Sequence, residues 1–289
     1  MIEFKDVEPA DKSWAKELLA YSGYRGCEYT FGNNYIWRRA FGTRIARYKD
    51  FYLIKSGGGY FFPAGRGDFR EIVEVLRKDA EENGKPLRFV TMNKASMLWL
   101  KENYSEFEFD TDRGFYDYIY SFEDLAELKG RKYHSKRNFL NRFKEKNWKY
   151  EPITPENIQA CADMNEIWLR ENNSAGEDLE LENLAVRTGL EHFFELDFTG
   201  GLLRIDGEVS AFTFGEPANG DTFVVHVEKA FASVPGAYPS INNEFVNNAC
   251  ANFNYINREE DMGLENLRKA KLSYHPVFLE EKFQAKSKL

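Results

Sequence analysis

The segment Thr222–Asn257, TFVVHVEKAFASVPGAYPSINNEFVNNACANFNYIN, contains a strand pattern, a loop, a helix pattern and a second strand pattern. Side chains alternate in character along Phe223–Glu228, which is typical of a strand. Proline is favoured in the first turn of a helix, and Pro239 suits that place here. The aromatic run Phe253–Ile256 then predicts another short, buried strand. This strand–helix–strand unit indicates an α/β fold.

The polar segment Asn257–Pro276, NREEDMGLENLRKAKLSYHP, begins where the second strand of this unit ends. Ligands of open α/β sheets bind just beyond the carboxyl ends of the strands. Arg258 and Glu259 are therefore predicted to face a cleft and to orient a polar substrate. The alternative interpretation is a solvated loop that leads into a surface helix.

Two further segments have the chemistry of a site. His226 and Glu228 lie near the end of the first strand, where either can accept a proton; a lone histidine in a strand also serves structural roles. The loop before the helix contains Gly236. Free backbone N–H groups at a helix start bind phosphate, so Gly236, Ala237 and Ser240 are predicted to bind a cofactor, although many α/β loops share this pattern.

A strongly basic segment lies near the middle of the chain. Lys129–Lys149, KGRKYHSKRNFLNRFKEKNWK, which we call the basic seam, contains nine Lys or Arg and one Glu. The sequence predicts a helix here. Clustered cations indicate an anion site for a phosphate-rich cofactor, a tRNA end or a lipid head group. A solvated helix that balances an acidic chain is the alternative.

The two halves of the chain follow one plan. Each has a helical lead-in, a three-strand antiparallel meander, a helix, a strand and another helix. FVTMN at Phe89–Asn93 and FNYIN at Phe253–Asn257 fall at the same point of that plan. This repetition predicts a duplicated α/β domain, with one domain over residues 1–120, the basic seam helix over residues 121–150 and a second domain over residues 151–289.

Composition limits the class of protein. The 289 residues have a net charge of −8, which disfavours non-specific binding to nucleic acid or anionic membrane. Three distant cysteines and the absence of a CxxC motif suit a reducing compartment. Four scattered histidines show no metal-ligand spacing, so no metal is expected. No apolar run approaches the length of a membrane span, and we expect a cytoplasmic protein.

Two segments also carry a resemblance. HSKRNFLNRFK, at residues 134–144, and NREEDMGLENLRKAKLSYHP resemble the signature segments of a bacterial family similar to the C-terminal domain of phosphatidylglycerol lysyltransferase. The resemblance implies two tandem GNAT-like (acyl-CoA N-acyltransferase-like) domains, each a mixed sheet flanked by helices, related to the Fem peptidoglycan aminoacyltransferases. It also implies transfer of an aminoacyl group from aminoacyl-tRNA to a lipid head group.

The resemblance and the residues together predict an acyltransferase with aminoacyl-tRNA as the favoured donor and an amine or hydroxyl as the acceptor. The segment Lys229–Ala237 contains one glycine and lacks the Arg/Gln-x-x-Gly-x-Gly/Ala loop of acyl-coenzyme A users. An acyl-CoA N-acyltransferase is one alternative, and a non-catalytic module that binds a ligand or tRNA is the other. The acceptor is expected to be a small molecule or a group similar to a lipid head group, with tRNA on the basic seam.

The predicted site residues fall into three groups. Catalytic roles are predicted for His226, Glu228, Arg258 and Glu259. Substrate-binding roles are predicted for Lys136, Arg137, Arg142, Asn257, Lys269, Lys271 and Tyr274. Cofactor-binding roles are predicted for Gly236, Ala237 and Ser240.

Overall fold

The structure, a computed structural model, describes residues 2–172 and 177–288. Its helices are α1 (Lys12–Ser22), α2 (Phe31–Ile36), α3 (Arg38–Phe41), α4 (Phe69–Glu82), α5 (Lys94–Asn103), α6 (Phe122–Glu127), α7 (His134–Lys144), α8 (Ile158–Glu171), α9 (Glu177–Glu191), α10 (Ala237–Ala249) and α11 (Glu265–Leu272). Its strands are β1 (Lys5–Asp6), β2 (Arg44–Tyr48), β3 (Phe51–Ser56), β4 (Gly59–Phe61), β5 (Ala64–Gly65), β6 (Arg88–Met92), β7 (Phe107–Thr111), β8 (Asp117–Ser121), β9 (Trp148–Pro152), β10 (Thr199–Ile205), β11 (Glu208–Pro217), β12 (Thr222–Ala230), β13 (Tyr255–Asn257), β14 (Phe278–Glu280) and β15 (Phe283–Ser287).

These strands form two mixed sheets. The first has the order β1-β2-β3-β4-β6-β15-β7, with β5 beside β3, and the second has the order β9-β10-β11-β12-β13-β8-β14. Both run antiparallel through their first four strands. Each then contains one parallel pair, β4 with β6 and β12 with β13. The two sheets therefore share one strand plan.

The sixth position of each sheet is filled from a distant part of the chain. Strand β15, from the C-terminal end, lies between β6 and β7 in the first sheet. Strand β8 lies between β13 and β14 in the second sheet. Each sheet therefore contains one strand, β15 or β8, from the half of the chain that forms most of the other sheet.

Contacts divide the chain into two compact units. The first comprises Met1–Asp117, Glu260–Arg268 and Leu279–Leu289, and the second comprises Tyr118–Glu259 and Lys269–Phe278. The core of the first unit packs α4 on its sheet through Ile72, Val73 and Leu76. The ranges 1–120, 121–150 and 151–289 stay a prediction of how the chain divides into folding units.

Local sequence explains several element boundaries. The carboxylate of Asp68 accepts hydrogen bonds from the backbone N–H groups of Arg70 and Glu71, and so caps α4. Asp206 and Gly207 have φ values of 50° and 91°, which a type I′ turn requires, and they join β10 to β11.

The helix predicted over Lys129–Lys149 is shorter in the structure. Leu128 and Gly130 have positive φ, which breaks the helix upstream, and α7 begins only at His134. Downstream, Trp148 already belongs to β9, because this segment pairs with β10 in the second sheet. Pairing with a distant strand therefore overrides the local helical pattern.

Candidate functional site

The parallel pair of the second sheet creates the site. Strands β12 and β13 pair at Thr222, Phe223 and Val224, and β13 then ends at Asn257. Beyond this point β12 continues alone beside β11, and its register with β11 shifts by one residue so that His226 is an extra residue. A bulge of this kind bends a strand and redirects its side chains. The side chains of β12 beyond Val224 therefore meet the loop that follows β13.

Arg258 is the cation of this site. Its Nη2 donates to Glu228 Oε1 at 2.8 Å, and both side chains are 13% exposed. Its Nη1 is buried and makes no hydrogen bond of normal geometry with a described residue. Burial lowers the pKa of Arg258, but Glu228, Tyr120 and Tyr274 together outweigh this effect and raise it. The guanidinium of Arg258 therefore stays charged.

Lys136 and Arg258 share an aromatic ring. Lys136 Nζ lies 3.8 Å from the centre of the Tyr274 ring, and the guanidinium carbon of Arg258 lies 4.6 Å from it. Each contact is a cation–π interaction. Burial, and then the charge of Arg258, lower the pKa of Lys136 to about 8. Lys136 can therefore lose and regain a proton near neutral pH.

Glu228 is held from its other side by α10. Asn242, which is 2% exposed, donates from Nδ2 to Glu228 Oε2 at 3.0 Å. Its own Oδ1 is buried and has no hydrogen-bond partner among the described residues. The carboxylate of Glu228 thus bridges Asn242 and Arg258.

His226 is enclosed by two carboxylates. Its Nδ1 lies 2.8 Å from Glu259 Oε1, its Nε2 lies 3.2 Å from Glu216 Oε1, and its side chain is 0% exposed. Burial lowers the pKa of His226, but the hydrogen bonds to Glu216 and Glu259 outweigh this effect and raise it to about 9. An imidazolium that donates a hydrogen bond from each ring nitrogen keeps its proton at neutral pH, so this geometry favours a structural role for His226.

Backbone contacts fix the loop after β13. Asn257 is buried, and its Oδ1 accepts from the N–H of Glu259 at 2.7 Å. Lys271 Nζ donates to the carbonyl oxygens of Arg258, in a short contact, and Glu259. Asn257 and Lys271 therefore position the loop that carries Arg258.

The structure brings together a large part of the predicted set. The residues that meet at this site in the second unit are Lys136, His226, Glu228, Asn257, Arg258, Glu259, Lys271 and Tyr274. Arg137 is engaged elsewhere: its Nη1 donates to the carbonyl oxygens of Leu128 and Gly130. Arg142 and Lys269 are exposed.

The predicted cofactor loop is closed by packing. A Cβ on Gly236 would lie 2.6 Å from the carbonyl oxygen of Phe139 in α7, and Gly236 has a φ of 87°. Ala237 and Ser240 are 1% and 4% exposed. The start of α10 therefore packs against α7, which does not favour a phosphate site at Gly236, Ala237 and Ser240.

Sequence reasoning missed three members of the site. Glu216 on β11, Tyr120 on β8 and Asn242 on α10 are buried within it. Polar residues at buried helix positions need partners, so the asparagines of α10 were a usable signal for Asn242. Tyr120 had none, because its strand joins the second sheet from the first half of the chain.

The first unit contains a different charge cluster. Lys282 Nζ lies 2.5 Å from Glu28 Oε1, 2.6 Å from Asp117 Oδ1 and 3.5 Å from Glu260 Oε2, and the thiol of Cys27 lies 3.5 Å from the same nitrogen. The adjoining cavity, beside Glu28 and Lys282, has a volume of about 10 Å³, which is room for about one water molecule. Lys282 and the three carboxylates therefore form a buried network of ion pairs.

The sequence profile of the family "Phosphatidylglycerol lysyltransferase, C-terminal" matches residues 19–286. The chain belongs to this family. A conserved protein of unknown function from Bacteroides thetaiotaomicron is 40% identical to it, with all of both chains covered and a TM-score of 0.96. No curated protein matches this member of the phosphatidylglycerol lysyltransferase C-terminal family in sequence.

More distant structures share the fold of this family member. L-PGS from Bacillus licheniformis is 14% identical, with 98% of this chain and 93% of that chain covered and a TM-score of 0.68. FemX is 9% identical, with 98% and 96% covered and a TM-score of 0.63. The predicted fold class, α/β with two tandem GNAT-like domains that each contain a mixed sheet flanked by helices, is confirmed.

None of the helices within residues 2–172 and 177–288 is both long enough and apolar enough to cross a membrane.

Proposed function

We propose that this protein transfers an aminoacyl group from aminoacyl-tRNA to an amine or hydroxyl acceptor, at the site around Arg258. Family membership supports aminoacyl transfer as the class of reaction. The observation that carries the proposal is the buried Nη1 of Arg258, a donor that makes no hydrogen bond of normal geometry with a described residue and lies beside an amine of lowered pKa, Lys136.

Arg258 stabilises the reacting carbonyl. When the acceptor attacks an ester carbonyl carbon, negative charge develops on the carbonyl oxygen. A fixed, buried donor aimed at that oxygen stabilises the transition state more than the ground state. Glu228 and Asn257 hold Arg258 and its loop in place before the reaction, so little reorganisation is needed.

Lys136 moves the proton. At a pH near 8 its amine is partly neutral, and it can accept the proton that the acceptor loses on attack. The bond between the carbonyl carbon and the ribose oxygen then breaks, and the protonated Lys136 returns the proton to that oxygen. The products are the aminoacylated acceptor and tRNA with a free hydroxyl.

Acceptor and location are part of the proposal. We propose a small molecule or a lipid head group as the acceptor, with exposed cations of the basic seam such as Arg142 as the place where tRNA phosphates bind. We propose a cytoplasmic location, because the three cysteines are buried without forming a disulfide, which suits a reducing compartment.

The test is to incubate the purified protein with tRNA charged with labelled amino acids, in the presence of phosphatidylglycerol vesicles or of soluble amines. Loss of the tRNA ester together with a labelled product supports the proposal. Release of free coenzyme A from acetyl-coenzyme A in a parallel reaction supports the alternative N-acyltransferase. Ligand that stays bound in native mass spectrometry, without turnover of either donor, supports a binding module.

A further inference from the structure

Two buried polar atoms flank the carboxylate of Glu228. Asn242 and Arg258 each donate to one of its oxygens, at 3.0 and 2.8 Å. Each also keeps one atom that makes no normal hydrogen bond with a described residue, namely Asn242 Oδ1 and Arg258 Nη1. One of these atoms is an acceptor and the other is a donor. A buried polar atom without a partner is costly to the fold, so the pair calls for a ligand or for water.

Glu228 fixes which way the amide of Asn242 points. Because a carboxylate accepts hydrogen bonds, Nδ2 of Asn242 must face Glu228, and Oδ1 must face away. The orientation of the spare acceptor therefore follows from the charge of its neighbour. The same carboxylate adds negative charge near Oδ1, which favours a cationic donor there.

An aminoacyl ester complements this pair. Its α-ammonium group is a cationic donor, and its carbonyl oxygen is an acceptor only one carbon away. A simple acyl group such as acetyl offers the carbonyl oxygen but no donor. A site built for a donor rejects an analogue that lacks it, because its own polar group is then left unpaired.

We propose that Asn242 Oδ1 binds the free α-ammonium group of the donor while Arg258 Nη1 binds its carbonyl oxygen. This inference rests on the proposed function, because it assigns the donor class of the same site. It makes Asn242 a specificity residue that separates aminoacyl donors from acetyl or Nα-acylated donors.

The first measurement uses the wild-type protein and isothermal titration calorimetry. Probes are the amides of alanine, lysine, leucine and phenylalanine, each compared with its Nα-acetyl form. We expect at least one free-amine amide to bind, with its acetylated form weaker by about tenfold or more, since a hydrogen bond to a charged group is lost. Equal binding of both forms overturns the proposal. Binding of neither form also overturns it, and leaves the two atoms as water sites only.

The second measurement uses Asn242→Leu with Asn243→Leu as the matched control. Asn243 is the next residue of α10, is also buried, and donates to the carbonyl oxygens of Leu125 and Ala126 instead. We expect Asn242→Leu to remove the preference for the free amine, and Asn243→Leu to keep it. If the control loses the preference equally, the proposal is wrong.

Failure of this inference is distinguishable from failure of the proposed function. Equal transfer from aminoacyl-tRNA and from Nα-acetyl-aminoacyl-tRNA keeps the function and overturns the role of Asn242. A free-amine preference in calorimetry without any transfer from tRNA keeps the subsite and overturns the function.

Discussion

The two units place different charges beside their parallel strand pairs, although their sheets follow one plan. In the first unit, Lys282 stands beside the end of β6, whose Met92 pairs with Phe283, and it is surrounded by three carboxylates. In the second unit, Arg258 follows β13 and has one carboxylate, Glu228, with aromatic rings and a second cation nearby.

The difference shows that one strand plan can hold two different sets of charged side chains. Carboxylates outnumber the ammonium in the first cluster, so phosphate or a developing oxyanion is repelled there. The hydroxyl of Tyr29 also donates to the carbonyl oxygen of Thr91 on β6 at 2.9 Å. In the second unit, Nη1 of Arg258 makes no hydrogen bond of normal geometry with a described residue. The charge of each cluster therefore depends on the side chains at the strand ends, and the shared strand plan only places them.

The largest expected effect is on the stability of the first unit. Lys282→Met leaves three carboxylates without their cation, and breaking a buried ion group costs about 3–5 kcal/mol. Urea denaturation should show this loss, while Lys288→Met, at an exposed lysine of the same terminal segment, should cost less than about 1 kcal/mol. An equal, small loss in both variants would mean that the first cluster is not structural.

The second prediction concerns transfer activity. Arg258→Lys keeps a positive charge near Glu228 but removes the planar pair of donors, and kcat should fall about hundredfold. Arg204→Lys is the matched control, because Arg204 pairs with Glu151 in the same unit, outside the site. If Arg258→Lys keeps its activity, the planar donors of an arginine are not what distinguishes the second cluster from the lysine cluster of the first unit.

The third prediction uses the pH dependence of stability. His226 has a folded pKa of about 9, above its usual 6.5, so its stabilising contribution is complete below pH 6.5 and is lost as the pH rises through about 9. The free energy of unfolding of the wild type should therefore fall relative to His226→Gln by about 2–3 kcal/mol across this range. If the difference in the free energy of unfolding between the two proteins does not change with pH, His226 is not stabilised as an imidazolium in the folded state.

The fourth prediction concerns Lys136 in catalysis. Because its pKa is about 8, the rate should rise with pH up to about 8 and level off above it, with about a tenfold gain between pH 7 and 9. Lys136→Met should be slower and should lose this rise. The same pH profile in the variant would assign the proton transfer to another group.

The smallest effect is expected in tRNA binding by α7. Arg142 is exposed, whereas Arg137 is bound to backbone carbonyls. Arg142→Ala should weaken tRNA binding a few fold and reduce the salt dependence by about 0.7–0.9 log units per log unit of salt. Filter binding at several salt concentrations measures both quantities. Unchanged salt dependence would place the tRNA away from Arg142.

Local patterns predicted a large share of the fold. The strand–helix–strand unit over Thr222–Asn257 was predicted and is present as β12, α10 and β13, because strand and helix patterns act within a few residues. The meeting of Arg258 and Glu228 was also predictable, since Glu228 lies on β12 and Arg258 follows β13, the parallel strands of one strand–helix–strand unit.

The sequence by itself determined the strand–helix–strand unit, the repeated plan and the acidic composition. Tertiary structure alone decided the exchange of β8 and β15, the enclosure of His226 by two carboxylates and the orientation of Asn242. The physical reason is the separation along the chain of the residues that interact. Helix and turn preferences are set by neighbours along the chain, whereas strand exchange and the pairing of buried charges depend on residues that are distant in sequence and adjacent only in the folded protein.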